Sequence, residues 1–147
     1  MRKRICVSLM TMSLFVSLAT VAPAYAKSVD GMRAHIPFDF YVGDRLVAAG
    51  EHAVKTMSVD ESALRIGNGR QSAAALTNSA RERGDGGGRA RLVFRKYGDQ
   101  YFLAAVWGAD NTGRTLAESK RERRLRRETT AARGGAPEME VVAIEAR

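Results

Sequence analysis

The chain has 147 residues, with 24 Lys or Arg against 16 Asp or Glu and a formal net charge of +8. Its single cysteine, Cys6, excludes a disulfide scaffold, and the length admits one domain with a modest core.

Arg2, Lys3 and Arg4 precede an apolar run from Ile5 to about Ala22, followed by Pro23-Ala24-Tyr25-Ala26. A basic head, an apolar centre and a small-residue site are the layout of a secretory signal peptide, which predicts cleavage before Lys27. An uncleaved anchor is the alternative, because the run is near the minimum length for a span. Ser8, Thr11, Ser13, Ser17 and Thr20 dilute it, however. Cys6 lies ahead of the apolar run, the wrong place for an acylated first residue, and leaves with the leader. Residues 27–147 then have no thiol nucleophile and no Cys-ligated zinc. Export also argues against cytoplasmic ATP chemistry, gene regulation and thiol redox enzymology.

The remaining 121 residues are read as a single β-rich domain with 21 basic and 16 acidic side chains, a net charge of +5. Outside the cytoplasm such a balance points to anionic lipid, surface polysaccharide or an acidic partner more than to nucleic acid. Plain solubility is the other reading.

From His35 to Val42, Ile36, Phe38, Phe40 and Val42 alternate with His35, Pro37, Asp39 and Tyr41, the period of a half-buried strand. Pro37 lacks an N–H and places this strand at an edge. Gly43-Asp44 and Gly50 mark the loop before a second strand from Glu51 to Met57. Ser62–Ile66 and Gln71–Thr77 flank Gly67-Asn68-Gly69, where Asn-Gly is a strong hairpin signal. Residues 79–89 carry Gly84, Gly86, Gly87 and Gly88 among charges and are read as a flexible loop.

Arg89–Tyr97 and Gln100–Trp107 form the clearest hairpin, about a Gly98-Asp99 turn. That turn predicts Phe94 opposite Leu103, Leu92 opposite Ala105 and Ala90 opposite Trp107, all on the core face. Arg91, Val93, Arg95, Phe102, Ala104 and Val106 then share a mixed second face. Ser119-Lys120-Arg121-Glu122 fits a capping box, with a reciprocal bond from the Ser119 N–H to the Glu122 carboxylate. A helix follows, from Lys120 to about Ala132, stopping at Gly134-Gly135. Its one large apolar residue is Leu125, which predicts a surface helix, and Glu122 and Arg126 are placed for an i,i+4 pair. Glu138–Ile144 reads as the last strand.

The expected fold is therefore mainly β: a small antiparallel β-barrel or sandwich of about seven short strands, with one basic surface helix before the last strand. No βαβ alternation is present, which argues against a parallel nucleotide-binding sheet.

Ile36-Pro37-Phe38-Asp39-Phe40-Tyr41-Val42-Gly43, then Ala49-Gly50-Glu51, resembles the opening of a family of small secreted bacterial proteins of unknown function. Further matches are Arg95 to Leu103, Val106-Trp107, and the Arg- and Glu-rich stretch from Ser119 to Arg127. The chain departs from that family at Val47-Ala48, where Leu-Pro is usual, and at His52, where an aromatic residue is usual. The resemblance implies export and a β-rich fold, and brings no catalytic residues.

Chemistry-bearing constellations are sparse. His35 and His52, with Asp39 or Glu51, form the one combination considered for a metal, without ligand spacing to support it. Two isolated polar strand residues are the favoured reading, so no cofactor or metal is expected. A Gly-x-Ser-x-Gly elbow is absent. Gly84–Gly88 lacks the Lys-Ser/Thr ending of a phosphate loop, and Arg83-Gly84-Asp85 is too short a match to an adhesion tripeptide to carry weight. The strongest charge feature is the helix, where Lys120, Arg121, Arg123, Arg124, Arg126 and Arg127 are candidate anion contacts. No aromatic residue lies among them to stack bases, and no apolar face suits a membrane. Tyr101 and Trp107 are the candidate lining of a ligand pocket.

The favoured function is an exported, non-enzymatic envelope or extracellular module that binds a surface, an anionic envelope component or a protein partner. One alternative is a carrier holding a small apolar or sugar ligand inside a barrel. A hydrolase would need Asp39, Asp44, Asp60 or Glu61 to converge in a cleft.

Overall fold

The computed structural model describes residues 29–83, 88–133 and 139–147; the expected leader, Gly84–Gly87 of the expected loop and the expected Gly134-Gly135 stop lie outside the described residues. The elements in chain order are β1 (Arg33–Ile36), β2 (Phe40–Val42), β3 (Arg45–Val47), β4 (Gly50–Thr56), β5 (Ala63–Gly67), β6 (Ser72–Arg81), β7 (Arg91–Tyr97), β8 (Gln100–Trp107), β9 (Thr112–Leu116), α1 (Lys120–Arg133) and β10 (Glu140–Glu145). The strands join in the order β1-β4-β5-β6-β9-β8-β2-β3, with β7 on the other side of β8 and β10 on β7. The protein is mainly β with one helix before the last strand. The sheet is mixed, because β2 runs parallel to β8 while the other pairs are antiparallel. Strand pairing does not close it. Beyond the end of β10, Arg147 exchanges backbone hydrogen bonds of 2.8 and 2.9 Å with Arg33 of β1.

The alternating run from His35 to Val42 divides into two strands at Pro37. The chain leaves β4 after Ile36 and crosses to β8, where Phe40 and Tyr41 pair with Tyr101 and Phe102. Asp39 holds this corner by accepting the Ala49 N–H at 2.8 Å. The alternation survives the break: Ile36 and Phe40 are fully buried. Phe38 packs edge-on against Phe94 (5.3 Å) and flat against Tyr101 (3.8 Å). The short strands β3 and β9 were not legible in the pattern, and β6 continues to Arg81 through residues expected to be loop, because β9 pairs with it from Thr77 to Arg81.

The β5–β6 turn differs from the two-residue Asn-Gly form. Gly67 pairs with Ser72, and the Asn68 side-chain oxygen accepts the N–H groups of Arg70 (3.1 Å) and Gln71 (3.0 Å). Only Gly69 takes positive φ in this turn, at 85°. An Asx-type side chain here replaces the left-handed backbone expected of Asn68.

In the β7–β8 hairpin the expected register holds from the Gly98-Asp99 turn to Phe94 opposite Leu103. The ladder then shifts, leaving Ala104 as the extra residue, so Leu92 faces Val106 and Arg91 faces Trp107. A bulge of this kind reverses the faces beyond it. Val106 therefore enters the core at 0% exposure. Trp107 leaves the predicted core face: Arg91 lies over its ring at 5.6 Å, and the indole rests on Gly113, where an added Cβ would come within 2.3 Å of it.

The interior is filled by Ile36, Phe40, Val54, Leu64, Ile66, Leu92, Phe94 and Val106. Phe40 and Phe94 meet edge-to-face at 5.4 Å, a favoured aromatic geometry. A second buried group, Tyr97 and Phe102, lies on the opposite face of β7 and β8, under α1.

Candidate functional site

The basic helix is set on the sheet by polar contacts. The Ser119 Oγ accepts the Glu122 N–H at 3.1 Å, as a capping residue should. The second cap comes from the β2–β3 turn, where Asp44 accepts the Arg121 N–H at 3.0 Å. That N–H, the Ser119 hydroxyl, and Lys120 and Arg123 nearby hold the Asp44 carboxyl below the usual carboxylate range.

The reciprocal arm of the capping box is replaced. Glu122, 1% exposed, takes the Arg95 Nε at 2.5 Å and Nη2 at 3.1 Å through its two carboxylate oxygens. Arg95 reaches the first turn of α1 from the outer face of β7, and its fork matches a carboxylate better than one backbone N–H does. The expected Glu122–Arg126 pair is consequently not made, and Arg126 turns to Glu118 at 3.3 Å. Leu125 is only half-buried, so this ion pair takes the place of an apolar stripe. The Arg126 Nε and the Tyr97 hydroxyl are buried here without partners. Burial, and then Glu122 and Glu118, push the Tyr97 phenol up.

The six predicted helix cations divide by what they touch. Arg121 lies over the Tyr41 ring at 4.4 Å and donates to Gln100 at 3.3 Å. Arg123 donates to the Glu118 carbonyl at 2.7 Å, and Arg124 pairs with Glu128 at 2.8 Å. Among the described residues, Lys120 and Arg127 make no ion pair. Lys120, Arg123, Arg124 and Arg127 share the outward face and, with Glu128, line a shallow hollow of about 520 Å³.

The other candidates are dispersed. Tyr101 and Trp107 lie near opposite ends of β8, paired to Lys96 and Arg91. His35 and His52 point to opposite faces of the sheet. His35 is exposed and meets Glu51 at 3.3 Å. His52 is 2% exposed, donates from Nε2 to the Ala48 carbonyl at 2.8 Å, and stands edge-on to Phe40. Among the described residues no group of three or more His, Cys, Asp or Glu is placed to hold a metal ion. Each carboxylate considered for hydrolysis has its own local partner: Asp39 the Ala49 N–H, Asp44 the helix cap, Asp60 the Ser62 hydroxyl, and Glu61 the guanidinium of Arg114. Among the described residues no helix is long and apolar enough to cross a membrane.

A second basic surface was missed by sequence reasoning. Arg33, Lys55, Arg65 and Arg70 line a groove of about 780 Å³ on the outer face of β1, β4 and β5, together with Glu51, Ala53 and Gly67. Alternation in the expected second and third strands marks Lys55 and Arg65 as outward-facing, whereas Arg33 precedes the strand expected from His35 and Arg70 lies in the β5–β6 turn; the pairing register brings the four together. Comparison with protein-family models, with curated proteins and with solved structures finds no match to this chain.

Proposed function

We propose that the chain is an exported, non-enzymatic β domain that binds an anionic envelope component or partner by electrostatic contact, in the periplasm or outside the cell. The leader layout of residues 1–26 supports export. The observation that carries the binding reading is the outward row Lys120, Arg123, Arg124 and Arg127, cations displayed on a helix whose underside is already held by Arg95 and Glu122. The filled interior favours a surface role over that of a carrier with an internal ligand.

The purified protein should be retained by sulfated dextran at low salt and released as salt rises, because exposed charges are screened beyond about 8 Å at physiological ionic strength. Uncharged dextran should not retain it. Equal retention by both matrices, or by neither, overturns the binding reading. Export is tested separately in a bacterial host, where exported protein should begin at Lys27. Protein that keeps Met1 and stays in the cytosol would overturn it.

A further inference from the structure

We infer that the outer face of β1, β4 and β5 is a binding groove for a phosphate- or sulfate-bearing saccharide, with Arg33, Lys55, Arg65 and Arg70 as its anion contacts. The inference rests on the anionic-surface reading above and moves the principal contact from the helix to the sheet.

The register builds the groove. Arg33 lies beside Ala53, which lies beside Gly67, so three strands cross one line spaced by about 4.8 Å. Alternation turns Arg33, Lys55 and Arg65 outward, while Ala34, Val54, Leu64 and Ile66 enter the core. The centre of that line is small: Ala53, Gly67 and Ser72 line the groove between the longer cations. Gly67 cannot be enlarged without rebuilding the turn, since a Cβ there would sit 2.4 Å from the Gln71 carbonyl oxygen.

The charge is unspent. Lys55 and Arg65 are direct cross-strand partners, an arrangement of like charges that destabilises a sheet. Among the described residues none of the four cations makes an ion pair, whereas acids elsewhere are matched: Glu82 to Arg91, Glu122 to Arg95, Glu140 to Lys96 and Glu145 to Arg89. Glu51, the one acid in the groove lining, lies 3.3 Å from the His35 ring, so four cations face a single carboxylate there. Such a cluster is neutralised by an incoming anion, and the guanidinium fork matches phosphate or sulfate oxygens two at a time.

The lining selects the carrier of those anions. Its one ring, His52, is buried edge-on to Phe40 and offers no face to stack a base, and no large apolar side chain is present to receive an acyl chain. Asn68, Ser72 and the backbone of Gly69 add neutral hydrogen-bonding groups suited to hydroxyls.

The test is fluorescence anisotropy of a labelled sulfated hexasaccharide with the full chain. Wild-type affinity should fall by roughly tenfold between about 50 and about 200 mM salt. The combined change Arg33→Gln, Lys55→Gln, Arg65→Gln should weaken binding at least about tenfold, the equivalent of one lost charge-assisted hydrogen bond. The combined change Arg123→Gln, Arg124→Gln, Arg127→Gln, in the secondary contact on the helix, should weaken it by less than the groove change does, as expected of screened surface charges. Thermal melting confirms the fold of each variant, and Arg65→Gln alone, with a severalfold loss, serves if the groove triple fails to fold. Loss through the helix variant with the groove variant unchanged overturns this proposal and leaves the anionic-surface reading standing. Absence of salt-sensitive binding by wild type overturns both. Equal affinity for single-stranded DNA of the same charge, or displacement of the probe by inorganic sulfate at equal charge, overturns the saccharide assignment.

Discussion

On α1, four of the six cations already have a partner within the protein: Arg121 with Tyr41 and Gln100, Arg123 with the Glu118 carbonyl, Arg124 with Glu128, and Arg126 with Glu118. On β1, β4 and β5, Arg33, Lys55, Arg65 and Arg70 have no acidic partner among the described residues, and two of them face each other. The helix is the denser run of positive charge in the sequence, yet much of that charge caps, stacks or pairs to fix the helix in place. The groove is assembled from cations scattered between positions 33 and 70. Charge density along a chain therefore measures available binding charge poorly; what decides is how many cations the fold leaves without an internal partner of any kind, whether acid, ring or carbonyl.

The contrast can be broken most forcefully at Arg95. Arg95→Ala leaves Glu122 buried without its counter-charge, and removing one partner of a buried pair costs about 3–5 kcal/mol. Urea denaturation should show that loss, with reduced helical circular dichroism. Full stability in this variant would show that α1 does not depend on the pair, and that its charges are as unspent as those of the groove.

Acidification should produce the next effect. The Asp44 carboxyl is held low in the folded state by the Arg121 N–H and the Ser119 hydroxyl. A depressed carboxyl contributes stability above its unfolded pKa and loses it as the pH falls through the folded value. The cap of α1 should accordingly weaken at the acid end of the carboxylate range. A melting series against pH should show a shallower acid slope for Asp44→Asn than for wild type; identical slopes would rule out this cap as a source of the acid sensitivity.

Lys55→Glu acts on the groove in the opposite sense. It converts a repulsive cross-strand pair into an attractive one and should stabilise the protein by about 0.2–1 kcal/mol while weakening anion binding. Stability and binding moving in the same direction would contradict the reading of the groove as unspent charge. The smallest effect is expected at Arg124→Ala, which removes an exposed i,i+4 pair on the helix. Its denaturation midpoint should be indistinguishable from wild type, and a clear loss would show that the outer row of α1 is structural.

Local features were legible in the sequence. The mainly β composition with one late helix, the Ser119 cap and the Phe94–Leu103 register each depend on residues close together in the chain. There turn chemistry and alternation set backbone direction and side-chain face. What escaped is non-local. The corner at Pro37 arises because β2 pairs in parallel with β8, about sixty residues away. The shift at Ala104 moves Trp107 out of the core and Val106 into it. Glu122 forsakes its own helix terminus because Arg95 arrives from β7.

The groove shows the same division. In the sequence, Lys55 and Arg65 stand at polar positions of the strands expected at Glu51–Met57 and Ser62–Ile66, while Arg33 falls before the strand expected from His35. That β1, β4 and β5 lie side by side, in the register that gathers these cations, is set by the assembled sheet. Alternation specifies a face, whereas strand order and register follow from which apolar faces fill the common core, a property of the whole chain and of no single segment.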